Sequence, residues 1–504
     1  MTTSSLTVTL WDKEVGRLSW DSKRGVAYFE YNRDFLNGNL DIFPLEASIK
    51  NPLSRRPIIG DKETKIYRKL PPFIADSLPD AWGNSVFEYW RIQNNIKNQD
   101  ITPLDILSFI GKRGMGALEF KPESSGIKKT EHLNMKALTD LAERIFKERE
   151  KALLSANDSF TMQSLIAVGI PAGGRQPKAI IAINNETGEI RSGQITGLDG
   201  FDYHILKFGD PERCSSELEM AYYEMATEAG INMMDCHLLE FDGRKHFITK
   251  RFDRKNGRKL HLQTLAALCP EADSYERLMS VCRRMRLSES TQEEVFRRMV
   301  FNILSNNTDD HNKNFSFIMD ENGKWSLSPA YDLTYIFNMG GYLPDNMHCI
   351  TMRGKYSDFT KEDAIDFAKE NGIKDGERII YEVATSVSKF RTFAQKHKVA
   401  ERWIGNIEQT LSAHLEKWGM LSPRPLSEFD INDQHISNIH IQQAYKGNYH
   451  IFATINGKSR KFVIGKNKEE HAIIERIGIT KLTEEEIKEI MERYLERKPN
   501  TPKS

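Results

Sequence analysis

No apolar run in this 504-residue chain approaches the roughly 20 residues that a membrane helix needs. The first residues, MTTSSLTVTLW, carry neither a basic n-region nor a long apolar stretch, so no secretory signal is expected and the cytoplasm is the expected compartment. Cysteine is scarce. Cys214, Cys236, Cys269, Cys282 and Cys349 are odd in number, widely spaced and without a C-x-x-C pair, which argues against both a zinc site and a disulfide framework. Net charge is missing as well, because Lys plus Arg and Asp plus Glu both number 71. A dominant role on nucleic acid or on a membrane surface gains no support from that balance, and any such contact would run through local basic patches.

What is present is enough chain for two to four domains, with the apolar and charged content of an ordinary globular protein. The most informative stretch is Ser305 to Leu333, SNNTDDHNKNFSFIMDENGKWSLSPAYDL. It follows an amphipathic run in which Phe296, Met299, Val300 and Ile303 recur at helical spacing, and Thr291 with Glu294 reads as a capping box. That helix should end near Ser305, leaving Asn306 to Asn314 as a polar loop with Asp309 and Asn314 in a D-x-x-x-x-N arrangement. Two short apolar runs, Phe315–Met319 and Trp325–Leu327, flank Asn322-Gly323 and read as a hairpin. Asp332 follows directly. Protein kinases use this order: the first Asp accepts the substrate hydroxyl proton, while the loop Asn and the later Asp hold Mg²⁺ against the phosphates. Mg²⁺ is a hard cation and selects such oxygen ligands. Turn-forming Asn and Asp are common in any loop; the hairpin and the second Asp in register carry the functional reading.

The residues Asn307 to Ser316, followed by Leu327 to Leu333, resemble the catalytic core of the HipA family of bacterial serine/threonine kinases, commonly the toxin halves of toxin–antitoxin pairs. Earlier segments extend the resemblance over most of residues 5–415. Residues 5–50 alternate as short strands of a small sheet. Phe73 to Trp90 reads as a helical region interrupted at Pro79 and Gly83, Ile101–Gly111 as a further helix, and Gly114–Leu118 as a tight backbone passage. Leu78–Gly83 and Gly114–Phe120 resemble the family's N-terminal region; on physics alone both are structural. Residues 121–130 read as an exposed connection and 132–155 as a polar helix.

Gly169–Lys178 precedes a strand, Ala179–Ile183. Gly173 and Gly174 let backbone amides approach an anion, and Arg175 and Lys178 supply charge, with Gln176 between them. The pattern is neither a Walker A motif nor G-x-G-x-x-G, and a plain hairpin turn is the alternative, but it resembles the family's phosphate loop. In the strand Phe201–Phe208, Lys207 shares a face with Tyr203 and Ile205, and a lysine there requires a paired charge unless it points to water. The following helix, Ser216–Ala229 with Gly230 as its cap, places Glu217 and Glu219 on opposite edges of an apolar stripe. The resemblance points to Glu219 as the lysine's partner, and the spacing leaves Glu217 open. His246–Phe252 occupies the position of a kinase hinge, where the backbone of Lys250 and Phe252 would meet adenine. The clusters Arg251, Arg254, Lys255, Arg258, Lys259 and Arg283, Arg284, Arg286, Arg297, Arg298 read as solvated faces, with partner contact as the alternative. His261 reads as a polar residue near a turn.

Lys361–Glu370, Gly376–His397 and Ala400–Trp418 complete a helical lobe. Beyond Pro423-Arg424-Pro425 the sequence predicts a hairpin, Tyr449–Ile455 and Lys458–Ile464 around Asn456-Gly457, then helices at Asn467–Ile477 and Thr483–Arg497. The expected fold is therefore α+β: a two-lobed protein-kinase-like architecture with an extra N-terminal β-rich subdomain (1–125), an N-lobe (150–290), a helical C-lobe (291–420) and a small C-terminal α/β module (421–504). The resemblance implies ATP- and Mg²⁺-dependent phosphorylation of a protein Ser or Thr. In that reading Asp309 is the base, His311 orders the loop, Lys313 faces the transferring phosphoryl group, and Asn314 and Asp332 are metal ligands. It also implies a translation component such as an aminoacyl-tRNA synthetase as substrate, and a HipB-type DNA-binding antitoxin as partner. A non-catalytic nucleotide-binding regulator and a small-molecule kinase are the competing readings. In one respect the chain departs from the family, which typically places an autophosphorylated serine seven residues before the loop lysine. That position here is Pro171, and 165–178 contains no Ser or Thr.

Overall fold

The structure, a computed structural model, describes residues 3–98, 101–124, 176–194, 198–241, 243–337 and 346–420. It adds scattered positions in 133–140 and, as backbone, the strands between 429 and 477. The N-terminal subdomain is built on an antiparallel sheet of β1 (Ser5–Leu10), β2 (Lys13–Asp21), β3 (Val26–Tyr31), β4 (Ile58–Ile59) and β5 (Leu118–Lys121), in the order β4-β3-β2-β1-β5. Alternation explains it: Leu6, Val8 and Leu10 of β1 are buried, and so are Ala27, Phe29 and Tyr31 of β3. Helices Pro72–Ala75, Ala81–Gln93 and Pro103–Ile110 cover this sheet. Pro79 does separate the first two, whereas Gly83 lies inside the second helix and interrupts nothing.

The N-lobe sheet, β6 (Lys178–Asn184), β7 (Ile190–Ser192), β8 (Phe201–Lys207), β9 (Cys236–Phe241) and β10 (Arg244–Lys250), is antiparallel in the order β7-β6-β8-β10-β9. Its Ala179, Ile181, Leu206 and Ile248 join Phe29, Phe43, Phe73 and Phe120 of the N-terminal subdomain in one apolar core. Each of the larger side chains among them stabilises the fold by about 1.5–3 kcal/mol when fully buried, so this shared core joins the two units. A two-stranded ribbon, β11 (Arg254–Lys255) and β12 (Arg258–Lys259), leads to a three-stranded sheet of β13 (His261–Thr264), β14 (Ser316–Met319) and β15 (Trp325–Leu327). The expected hairpin thus gains a third strand. His261 sits within it rather than at a turn, fully buried, bonded to the Ile42 carbonyl at 2.9 Å, and burial lowers its pKa to about 4.

A second core forms the helical lobe, from Ser215–Glu228 and Tyr275–Arg284 through Glu289–Leu304 to Glu401–Lys417. The long central helix starts earlier than the Thr291/Glu294 capping box predicts. Ser288 is its N-cap and accepts from the Thr291 amide, while Glu294 pairs with Arg298. Gly376–His397 divides into Gly376–Val387 and Phe390–Lys396.

The charge clusters are not uniformly solvated. Arg251 is fully buried and bidentate to Asp253 at 2.8 and 2.7 Å, and Arg254 joins the same carboxylate. Asp253 also accepts from the amide of Gly116, whose positive φ brings the backbone against Leu262 where a Cβ would crowd it. Lys255 and Arg258 alone of that cluster face water. In the second cluster, Arg298 is buried against Glu294 and the Ser328 carbonyl.

After residue 428 the chain forms an antiparallel sheet of β16 (Phe429–Ile431), β17 (Gln434–Gln443), β18 (Tyr449–Ile455), β19 (Lys458–Lys466) and β20 (His471–Ile477). Strands β18 and β19, on either side of Asn456-Gly457, pair antiparallel as expected. The helix expected over Asn467–Ile477 is instead strand β20, paired with β19. Its apolar run is short, and a short run is compatible with either period. The polar helix of 132–155 is described only at scattered positions, and Thr483–Arg497 lies outside the described residues. Among the described residues no helix is long and apolar enough to cross a membrane.

Candidate active site

Strand β8 and the helix Ser215–Glu228 build the ionic centre. Alternation along β8 turns Ile205 and Lys207 toward a cleft and Leu206 toward the N-terminal core. Lys207 is 7% exposed, and its ammonium donates to both Glu219 and Asp332. Glu217 pairs with Lys245 at 3.4 Å, so tertiary packing selects Glu219 as the partner of Lys207. Burial works against the charge on Lys207, but Asp332 and Glu219 outweigh it and raise its pKa. Burial likewise opposes ionisation of Asp332, yet Lys207 and Lys178 hold its carboxyl below the usual range. Asp332 adopts a left-handed backbone, φ 55°, at the end of a segment stapled by Tyr331. The Tyr331 hydroxyl donates to the Lys313 carbonyl at 2.8 Å and bonds Ser316 at 2.5 Å.

The polar loop of Asn306 to Asn314 follows the helix Glu289–Leu304 as expected. Asn314 donates through Nδ2 to the Asp309 carbonyl at 2.7 Å, which closes the D-x-x-x-x-N turn and directs its amide oxygen the other way. Asp309 is 54% exposed, with its carboxylate 3.8 Å from His311 Nε2. Burial pushes its carboxyl upward, His311 opposes the rise, and Asp332 and Asp310 add to it. Its neighbour Asp310 escaped the sequence reading. It is 1% exposed and accepts from Tyr275 Oη at 2.6 Å, from His348 Nδ1 at 2.8 Å and from the Cys349 amide at 2.8 Å. Those bonds hold the loop from beneath. A pair of adjacent aspartates in sequence cannot reveal which one faces inward.

The cleft is lined by apolar side chains, Ile205, Met233, Phe247, Phe252 and Leu262, and by ionic ones, Lys207, Glu219, His311, Lys313 and Asp332, with the Lys207 ammonium 5.7 Å from the centre of the Phe247 ring. Phe252 lies 5.6 Å from Tyr331, ring centre to ring centre. Lys250 lines the cleft too, although its own amide donates to the Asp235 carbonyl at 3.0 Å and is not directed into the cleft. Gln176 turns away and donates to the Phe208 carbonyl at 3.0 Å. Gly173, Gly174, Arg175 and Pro171 lie outside the described residues. Lys178 stands on β6 directly opposite Lys207 and is 2% exposed.

The segments that the sequence assigns a structural role also reach the site. Asp76, Leu78, Asp80 and Met115 line the cleft. Asp76 accepts from the Thr264 amide at 2.7 Å and from its hydroxyl at 2.5 Å, and so ties the N-terminal subdomain to β13. The only sequence signal for these residues is a pair of carboxylates in an otherwise apolar helical region.

A model of the HipA N-terminal domain matches residues 6–121, and one of the HipA-like C-terminal domain matches residues 170–395. The serine/threonine-protein kinase toxin HipA of Shewanella oneidensis is 22% identical over 361 residues, covering 66% of this chain and 76% of that protein. A solved structure from Shewanella oneidensis MR-1, described as HipA and HipB of a toxin–antitoxin system with operator DNA, is similar at 17% identity with a TM-score of 0.57. It covers 82% of this chain and 97% of that one, so the α+β, kinase-like fold is shared. With two domain models spanning about two thirds of its length in the family's own order, the chain belongs to the HipA family.

Proposed function

We propose that this chain is a serine/threonine protein kinase that transfers the terminal phosphoryl group of ATP to a protein hydroxyl. The observation that carries the reading is the convergence of Lys207, Glu219 and Asp332 on a cleft that is also lined by apolar side chains. A cleft with both linings fits a nucleotide: the base lies among Met233, Leu262 and Phe252, and the phosphates meet Lys207 and Lys178. The Asp332 carboxylate and the Asn314 amide oxygen are hard donors of the kind Mg²⁺ takes. When bound, Mg²⁺ supplies positive charge against the phosphate oxygens. Asp309 accepts the proton of the attacking hydroxyl, and its solvent-facing carboxylate suits a bulky protein substrate. Lys313, exposed and lining the cleft, faces the transferring group. Catalysis then rests on positioning and charge rather than on a covalent enzyme intermediate.

The family places such kinases among toxins. We extend that here to a translation component, such as an aminoacyl-tRNA synthetase, as substrate, and to a DNA-binding HipB-type protein as partner. The test is incubation of the full chain with radiolabelled ATP, Mg²⁺ and a native lysate, with the labelled species identified. A labelled protein that vanishes with Asp309→Asn supports the reading. Label confined to small metabolites would favour a small-molecule kinase, and no Asp309-dependent label at all would favour the non-catalytic regulator.

A further inference from the structure

Leu78–Gly83 carries no chemistry in the sequence reading, yet its residues grip Lys178. Asp80 caps the helix Ala81–Gln93, accepting from the Gly83 amide at 2.7 Å through one carboxylate oxygen. The other oxygen is buried, makes no hydrogen bond among the described residues, and lies 3.7 Å from the Lys178 ammonium. Two residues on, Trp82 Nε1 donates to the Lys178 carbonyl at 2.8 Å. One turn of helix therefore holds both the backbone and the charge of this lysine.

The need for a grip follows from register. Lys178 and Lys207 are directly opposite on neighbouring antiparallel strands, so their side chains share a face, and like charges placed so repel. Lys207 has Glu219 and Asp332 to offset that repulsion. Burial disfavours the charge on Lys178, and Asp332 and Asp80 favour it.

We propose that Asp80 is a positioning residue for Lys178: delivered by the N-terminal subdomain, it holds the ammonium where an ATP phosphate is received. The subdomain thereby completes the phosphate site instead of only packing against it. This rests on the reading of Lys178 as a phosphate contact.

The experiment titrates Mg-ATP and, separately, adenosine into the full chain by calorimetry, comparing wild type with Asp80→Asn, Lys178→Met and the double variant. Asn caps a helix as well as Asp does, so the first substitution removes charge and little else; Asp80→Ser serves the same end if that variant folds poorly. Lys178→Met is expected to weaken ATP binding roughly 10–100-fold, the worth of a charge-assisted bond, and to leave adenosine unchanged. Asp80→Asn should weaken ATP roughly tenfold, spare adenosine, and add nothing in the Lys178→Met background. Equal losses for ATP and adenosine, or an undiminished effect without Lys178, would overturn the proposal. Unaltered ATP affinity in Lys178→Met would overturn it together with the phosphate reading of that lysine, and that result is separable from the others.

Discussion

The ammonium of Lys207 bonds the carboxylate of Asp332 as well as that of Glu219. One cation thus serves two buried acids, and the acid read as a metal ligand is already engaged. The contact engages one carboxylate oxygen of Asp332, and in the proposed reading the other would be left to a metal ion.

The chemistry is tested at its two aspartates. Asp309→Asn keeps size and hydrogen bonding but removes the proposed base, and Asp332→Asn removes a charge from the proposed metal site. Each should lower phosphoryl transfer by about 10²-fold or more, with unchanged circular dichroism. Transfer near the wild-type rate by either variant would sink the assigned role.

Glu219 and Glu217 provide an internal control. Glu219→Gln leaves Lys207 bound to Asp332 alone, which should slow transfer at least tenfold and raise the metal requirement. Glu217→Gln breaks only the partly exposed pair with Lys245, worth about 0–1 kcal/mol, and should leave turnover intact. Steady-state rates at several Mg²⁺ concentrations separate the two. Equal effects would remove the case for Glu219.

Three buried histidines should make stability fall on acidification. Burial lowers His204, His246 and His261 to about 4 each, with His237 adding to the fall at His204 and Arg244 at His246. The unfolded chain protonates such residues near pH 6.5. Between those values the unfolded state binds more protons, so stability is full above about pH 6.5 and declines toward pH 4, by up to about 1.4 kcal/mol per pH unit for each histidine. His261→Gln retains a donor for the Ile42 carbonyl and should flatten the slope by one histidine's share. Denaturant unfolding at pH 7.5 and pH 5 measures it; identical slopes for variant and wild type would refute the assignment.

Autophosphorylation should differ from the family's habit. Pro171 has no hydroxyl and a locked φ, which opposes a loop that must swing outward. After prolonged incubation with Mg-ATP, intact-mass analysis should find no inactivating phosphate in 165–178, restraint falling instead to a partner or to the C-terminal module. Stoichiometric phosphate on Ser159, Thr161 or Ser164 with loss of activity would show that the switch has moved.

The sequence by itself determined the order of helix, polar loop and hairpin that leads to Leu333, because helix period and turn residues are local there. Lys207 was legible for the same reason, as a charge inside an apolar strand. Tertiary structure decided what depends on residues distant along the chain. Glu219 rather than Glu217 meets Lys207 because the helix packs with that edge toward β8. Arg251 is buried rather than solvated because Asp253 neutralises it, and Asp253 is itself anchored across subdomains by the Gly116 amide. Asp76 and Asp80 enter the site for a similar reason: one apolar core fuses the N-terminal subdomain to β6, β8 and β10. Local pattern also could not settle β20, whose short apolar run takes its period from pairing with β19. A residue's type is written in the chain, but the charge that will face it is supplied by packing.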